Sequence, residues 1–518
     1  MKTKYLNPFI FLILAIICLS VFSCVDDLDT KPLDEDIQTE LTTDEDFDSF
    51  LAKCYAAFIL GGQTGSDADI KSIDVNFSSY LRQYWSIQEL TTEEAICAWN
   101  DGNLRDLHDM DWNAKNEFIT CLYSRINLEI SYCNKLIQEA KEKDKYQEHY
   151  VEARMLRALA YWHMLDIFST GPFVVETDPV GSMFFPEQAT AKELFDYIET
   201  ELKAIEEALP APGENEYGRA DRALAWMVLT KLYLNAQVYI NEDKYTECLT
   251  YCNKIINSNK YSLESKYQNL FLADNHLRTN EIIFPICSDG DHTQQAVGMS
   301  YIIHAALGGT MKGSDFGVSG GWGGNRTTSA FVAKFDDITG QTDSRAMFYT
   351  DGQTLEIEEV LTFTQGYTIT KYSNLTSTGE AGSNTEYVDT DFPMFRYADV
   401  LLMYAEAVLR GGSGGDENTA LNYVNEIRER AYGDNSGNIS STELTLDFLL
   451  NERSRELYWE AHRRTDLVRF GKFTGGDYLW PWKGAVAEGT ATDSKYRVCP
   501  IPSSDINANP NLTQNDGY

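Results

Sequence analysis

Basic residues are scarce in this chain. Of 518 residues, 43 are Lys or Arg against 79 Asp or Glu, giving a formal charge of −36 and a pI near 4.5. Phosphate binding needs clustered Lys and Arg, so the balance argues against a nucleic-acid partner. It argues equally against polybasic docking on anionic lipid. Histidine is rare as well: the seven residues at 108, 149, 163, 276, 292, 304 and 462 include no two at metal-ligand spacing. There is no C-x-x-C pair, no H-E-x-x-H, no Walker loop and no twelve-residue calcium loop ending in Glu. Neither a metal nor a cofactor is expected. No stretch beyond the N-terminus approaches the roughly 18 apolar residues of a membrane-spanning helix. The hydrophobic share of 43% is nonetheless enough for a large core and excludes a disordered acidic chain.

The N-terminus reads as an address. Lys2 and Lys4 precede an uncharged apolar run from Phe9 to Phe22, too short to cross a bilayer. It ends in Val21-Phe22-Ser23-Cys24, a lipobox-like sequence with a bulky Phe at its second position. Residues 1–23 are expected to be a signal peptide, with Cys24 lipidated and more than one acyl chain providing the anchor. The competing reading is an ordinary secretory peptide with Cys24 a bystander. Residues 24–48 are acidic, contain Pro32 and lack apolar periodicity, as expected of a lipidated tether. The eight later cysteines are widely scattered, unlike a small disulfide scaffold, and read as core residues.

Residues 49–518 read as one body, mainly α. Helical periodicity is expected over 118–142, 150–168, 191–209, 222–240, 245–257, 395–410 and 418–431, with a last long helix from about Thr445 to Phe470. The segments 222–257 and 395–431 have similar lengths and place small residues (Ala223, Ala225 and Ala236; Ala398, Ala405 and Ala407) where helices approach closely. This is a tetratricopeptide-like pattern. Between about 262 and 392 the helical pattern stops and Gly, Asp, Thr and Ser dominate. A loop-rich insertion of that length on a rigid scaffold is where a ligand site is expected.

Catalytic signatures are weak. Gly411-Gly412-Ser413-Gly414-Gly415 matches G-x-S-x-G formally, but a helix precedes it, where a nucleophile elbow needs a strand. A carboxylate pair of the glycosidase kind is set by space and not by sequence, and nothing promotes one among 79 acids. No enzyme is expected. Arg463 and Arg464, in a run of alternating charges, read as ion pairs along a helix. Tyr478, Trp480 and Trp482 read as core.

Aromatic residues in turn-rich surroundings carry the positive signal. Trp99 precedes Asn100-Asp101-Gly102-Asn103, Trp322 sits within Gly317–Gly324, and Tyr301 follows a Gly-containing loop. A flat exposed ring suits the apolar C–H face of a sugar, and nearby Arg or Asn suits its hydroxyls. Two or three such platforms, at about 0.5–1.5 kcal/mol each beyond area burial, give binding in the mM to µM range. The bland alternative is that each Trp caps a hydrophobic edge of the scaffold.

Several motifs occur in order: the lipobox, Asp27-Leu28-Asp29, Trp99–Asn103, Glu152-Ala153-Arg154 to Tyr161-Trp162, Gly218-Arg219-Ala220, Lys231–Ala236, Ala273-Asp274-Asn275, Arg396–Asp399, Arg463–Gly471 and Pro500-Ile501-Pro502. Together they make the whole chain resemble the SusD/RagB family of Bacteroidetes outer-membrane lipoproteins, and its starch-binding members most. The resemblance implies tetratricopeptide-like helix pairs with a glycan site on the loops. It also implies a cell-surface, lipid-anchored protein that hands oligosaccharide to a SusC-like TonB-dependent transporter without cleaving it. Carried over by position, Arg82 matches a hydroxyl-binding Arg, and Trp99 and Trp322 match aromatic platforms. Asn100 or Asn103 matches an Asn contact, and Tyr301 is a candidate replacement ring. Cys97 and Ala296 stand where the starch-type arc has a Trp and a Tyr, which puts starch as the ligand in doubt. His276 replaces an acid near a calcium site, in line with no metal. The alternative to glycan capture is a tetratricopeptide-like protein-interaction scaffold at the outer membrane.

Overall fold

The computed structural model describes residues 40–62, 68–179 and 184–518. The signal peptide, Cys24 and the tether to residue 39 lie outside the described residues. Two units separate, Met1–Asp46 and Phe47–Tyr518. In the first, the described residues form a turn in which the Asp46 carboxylate accepts from the Thr42 and Thr43 amides. No helix among the described residues is long and apolar enough to cross a membrane.

The chain is mostly helical with a few short strands. The helices used below are α1 (Asp44–Ala56), α2 (Tyr80–Glu89), α3 (Glu117–Ala140), α4 (Gln147–Phe168), α5 (Ala191–Ile205), α6 (Arg222–Leu234), α7 (Tyr245–Asn257), α8 (Met299–Ala306), α9 (Tyr397–Leu409), α10 (Glu417–Tyr432), α11 (Leu446–Leu457) and α12 (Arg463–Arg469). Their starts are fixed by side chains that accept the unpaired amides of the first turn. Asn116 caps α3, Asp221 caps α6 and Asp416 caps α10, while Thr190 and Glu193 form a reciprocal capping box on α5.

Consecutive helices pack as neighbours: α3 on α4, α4 on α5, α6 on α7 and α9 on α10. The small residues expected at close approach, including Ala223, Ala225, Ala398, Ala405 and Ala407, are fully buried. Helix α7 also packs directly on α9 although about 140 residues separate them in sequence. The loop-rich segment is therefore an insertion that leaves the helical stack and returns to it. Strands β2 (Ile282–Ile286) and β4 (Phe392–Arg396) mark its exit and return and pair antiparallel. Within and before it, β1 (Ile96–Cys97) pairs antiparallel with β3 (Asn325–Arg326).

The last expected helix is broken. In place of one helix over 445–470, α11 ends at Leu457 and α12 begins at Arg463. Between them Trp459 and Ala461 have positive φ of 62° and 61°. Such backbone is costly for non-glycine residues and persists only where its surroundings hold it. Here the Trp459 indole donates to the Glu94 carbonyl at 2.9 Å, and the Ala461 amide donates to the Glu89 carboxyl at 2.7 Å. The break also lets Glu460 reach Arg396 at 2.6 Å and Lys371 at 2.6 Å. The alternating charges of this segment accordingly do not pair along an exposed helix. They are buried, and partners come from elsewhere as well as from α12 itself: Arg463 pairs with Glu93 at 2.5 Å, and Arg469 with Glu406 at 2.7 Å and with Asp466 at 2.8 Å. These contacts fix the C-terminal end of α2, whose other end carries Arg82. Trp480 is buried, as expected, and Trp482 packs partly buried on a cluster of Ile96, Ile357 and Val360.

Candidate functional site

The site is built where the β1–β3 pair meets α8. The register Ile96↔Arg326 and Cys97↔Asn325 continues in a bond from the Ala98 amide to the Gly324 carbonyl at 2.8 Å. Trp99 is thereby set against the glycine loop, and its indole N–H donates to the Trp322 carbonyl at 3.1 Å. The loop itself is zipped to the C-terminal end of α8. Amides of Trp322, Gly323 and Gly324 donate to the carbonyls of His304, Leu307 and Ala305, each at 2.8 Å. Close approach explains two of the glycines. A Cβ on Gly324 would lie 2.7 Å from the Trp99 indole, and one on Gly321 would lie 2.2 Å from the Leu307 carbonyl oxygen.

Trp322 is braced by a second ring. Its indole lies flat on the His304 imidazole, with centroids 4.7 Å apart and 14° between the planes. The imidazole is held in turn at both nitrogens, 2.7 Å from the Gly320 carbonyl and 3.1 Å from that of Glu386. One face of the indole is covered, and the residue remains 37% exposed. Trp99 is half-buried and meets Tyr301 edge-on at 5.9 Å.

Arg82 stands in the first turn of α2, whose N-cap Ser79 accepts from the Arg82 amide. Its guanidinium carbon lies 4.1 Å from the Tyr301 ring centroid and 5.9 Å from that of Trp99. Nη1 donates to the Asn76 carbonyl, and among the described residues Nε is buried without a partner and Nη2 makes no hydrogen bond. A cation held on two rings is oriented at low entropic cost. The Arg82 side chain is largely buried, and Nη2 is the donor left for a hydroxyl or ring oxygen.

The structure brings Arg82, Trp99 and Trp322 together and corrects the role of Tyr301. Tyr301 does not follow a glycine loop as an exposed ring. It lies in α8, is fully buried and donates its hydroxyl to the Asn325 side chain at 3.3 Å. Burial pushes its hydroxyl up to about 12. It offers no face to a ligand and instead supports Arg82 and Trp99. Of the two Asn candidates, Asn100 is exposed. Asn103 is half-buried at the start of a short helix, and its carbonyl accepts from the Asp106 amide at 3.2 Å and the Asn116 side chain at 3.0 Å.

Three participants escaped the sequence reading. His304 supports Trp322 one helical turn beyond Tyr301, so a single face of α8 carries both supports. Phe363 lies beside the platform, where a Cβ on Gly323 would be 3.6 Å from its ring. Asn325 holds Tyr301 from β3. A helix placed over 299–306 would have revealed the Tyr301/His304 pair; nothing local marks Phe363. Cys97 is buried on β1 and Ala296 is exposed before α8, so neither supplies a ring.

The helical scaffold thus carries two loop-borne indoles, Trp99 and Trp322, close to a ring-held cation, Arg82, on α2. A family model described as the SusD family matches residues 325–518, and one described as "Starch-binding associating with outer membrane" matches residues 33–234. Starch-binding protein SusD of Bacteroides thetaiotaomicron is 33% identical over 571 aligned positions that span 100% of both chains. Among solved structures, a SusD-like carbohydrate binding protein from Bacteroides fragilis superposes with a TM-score of 0.72 at 18% identity, covering 92% of this chain and 100% of that one. Surface glycan-binding protein A from Bacteroides thetaiotaomicron, in complex with laminarihexaose, gives 0.68 at 20% identity with the same coverage. The chain belongs to the SusD family.

Proposed function

We propose that this protein is a cell-surface lipoprotein, anchored in the outer membrane through Cys24, that captures oligosaccharide or polysaccharide and delivers it to a SusC-like TonB-dependent transporter. The observation that carries the glycan reading is the Trp322 indole, clamped flat on His304 beside Trp99 and still 37% exposed. A sugar ring stacks its C–H face there, and Arg82 and Asn100 bind hydroxyls at the rim. The site is shallow and recognition is by rings and neutral hydroxyls, so binding is weak and insensitive to salt. The name of the starch-binding relative, matched over the whole chain, favours an α-glucan. Phe363, packed against Gly323 of the same loop, is a further ring near this site.

Calorimetry of protein beginning at Val25 against α-glucan, β-glucan, xylan and host-glycan oligomers tests this. Binding of one class at mM affinity or better, lost when Trp99 and Trp322 are both changed to Ala, is expected. Retention of binding in that double variant would refute the site. Absence of binding to every glycan would favour the interaction-scaffold reading, and release of product from polysaccharide by the protein alone would overturn the assignment as a binding protein.

A further inference from the structure

We propose that Cys54, Glu129 and Cys133 form a buried site for a thiophilic divalent transition-metal ion, with Zn2+ the best match. Glu129 and Cys133 are one turn apart on α3 and share a face, while Cys54 comes from α1. One ligand atom from each of the three lies within 4.8 Å of the others. All three residues are fully buried. The Cys133 thiol lies 3.0 Å from Glu129 Oε1, while Glu129 Oε2 has no hydrogen-bond partner. No Lys, Arg or His among the described residues forms an ion pair with Glu129. A buried carboxyl oxygen without a hydrogen-bond partner is costly. A metal ion would engage it.

The donor set selects the ion. Thiolates exclude Ca2+ and Mg2+, which take oxygen ligands, and favour Zn2+ among common divalent ions. Bond lengths of about 2.3 Å to sulfur and about 2.0–2.2 Å to oxygen put tetrahedral donors roughly 3.3–3.8 Å apart, so only small side-chain shifts are needed. Two thiolates and Glu129 Oε2 would fill three tetrahedral positions and leave the fourth to a water molecule, as in sites with three protein ligands. Binding would form two metal–sulfur bonds and a metal–oxygen bond, and the protons carried by the ligating groups would leave to solvent. No electrons change hands. Because the site is sealed, the ion enters as the chain folds.

The test is to refold the full chain with Co2+ and record its spectrum and its native mass. One Co2+ per chain with a thiolate-to-cobalt charge-transfer band, displaced when Zn2+ is supplied during refolding, is expected. C133S should abolish the band, and E129Q should retain thiolate absorption but release the ion faster to a chelator. Should either variant fail to fold, the wild-type stoichiometry and spectrum decide the matter alone. A folded wild-type chain without metal and with both thiols free would overturn the proposal. So would a native mass lower by two hydrogens, which would mean that Cys54 and Cys133 are joined as a disulfide.

Discussion

Replacing Trp322 by Ala removes the exposed ring on which the glycan reading depends. Trp322 is 37% exposed. Taking a Trp as roughly 250 Å², full coverage by a sugar removes roughly 90 Å² from water, worth about 2 kcal/mol at about 25 cal/mol per Å². The ring-specific contribution adds about 0.5–1.5 kcal/mol. Ordering cost is small because His304 already fixes the indole. The total of about 2.5–3.5 kcal/mol corresponds to a rise in Kd of roughly 70–400-fold at full coverage. Titration calorimetry with the best-binding oligomer measures it directly. Folding should survive, because the loop's attachment to α8 runs through backbone amides, and a thermal melt within about 3 °C of wild type checks this. A rise in Kd of less than about threefold, which is about 0.6 kcal/mol, in a folded variant would refute the platform.

Three further outcomes follow from the same geometry. His304→Ala leaves Trp322 unsupported and should weaken binding roughly 2–10-fold, the equivalent of one aromatic contact, as read by calorimetry. Gly324→Ala places a Cβ 2.7 Å from the Trp99 indole; overpacking should cost about 1–3 kcal/mol in urea unfolding and lower glycan affinity as Trp99 shifts. Glu129, held neutral by burial up to about 8, binds its proton more tightly folded than unfolded. Its stabilisation is complete below the unfolded value near 4.5 and is lost as pH rises towards 8. With chelator present, Glu129→Gln should therefore lose less stability than wild type between pH 5 and pH 8, and an unchanged slope in urea titrations would contradict this.

The helical scaffold was legible because its periodicity is regular, its caps are Asp, Asn and Thr, and its small residues recur at helix contacts. What was hidden is what tertiary context decides. The charged run after Leu457 looked like a solvated helix, because one sequence cannot show that Glu460 answers to Arg396 and Lys371, or Arg463 to Glu93. Those distant partners are what hold the positive φ at Trp459 and Ala461. At the site, Trp99 and Trp322 were legible from their turn-rich surroundings. Tyr301 was assigned to the ligand because its short apolar helix was read as loop; buried under Arg82, it works one layer down. The expectation of no metal rested on spacing along the chain, which is blind to Cys54 meeting Cys133 from another helix.

The most direct test of the central claim is a crystal structure of the protein with a maltooligosaccharide bound. A glucose ring stacked on the exposed indole of Trp322, with a hydroxyl on Arg82, is the predicted result. A sugar bound elsewhere, for instance in the groove lined by Tyr239, Lys495 and Arg497, with Trp99 and Trp322 left uncovered, would contradict it.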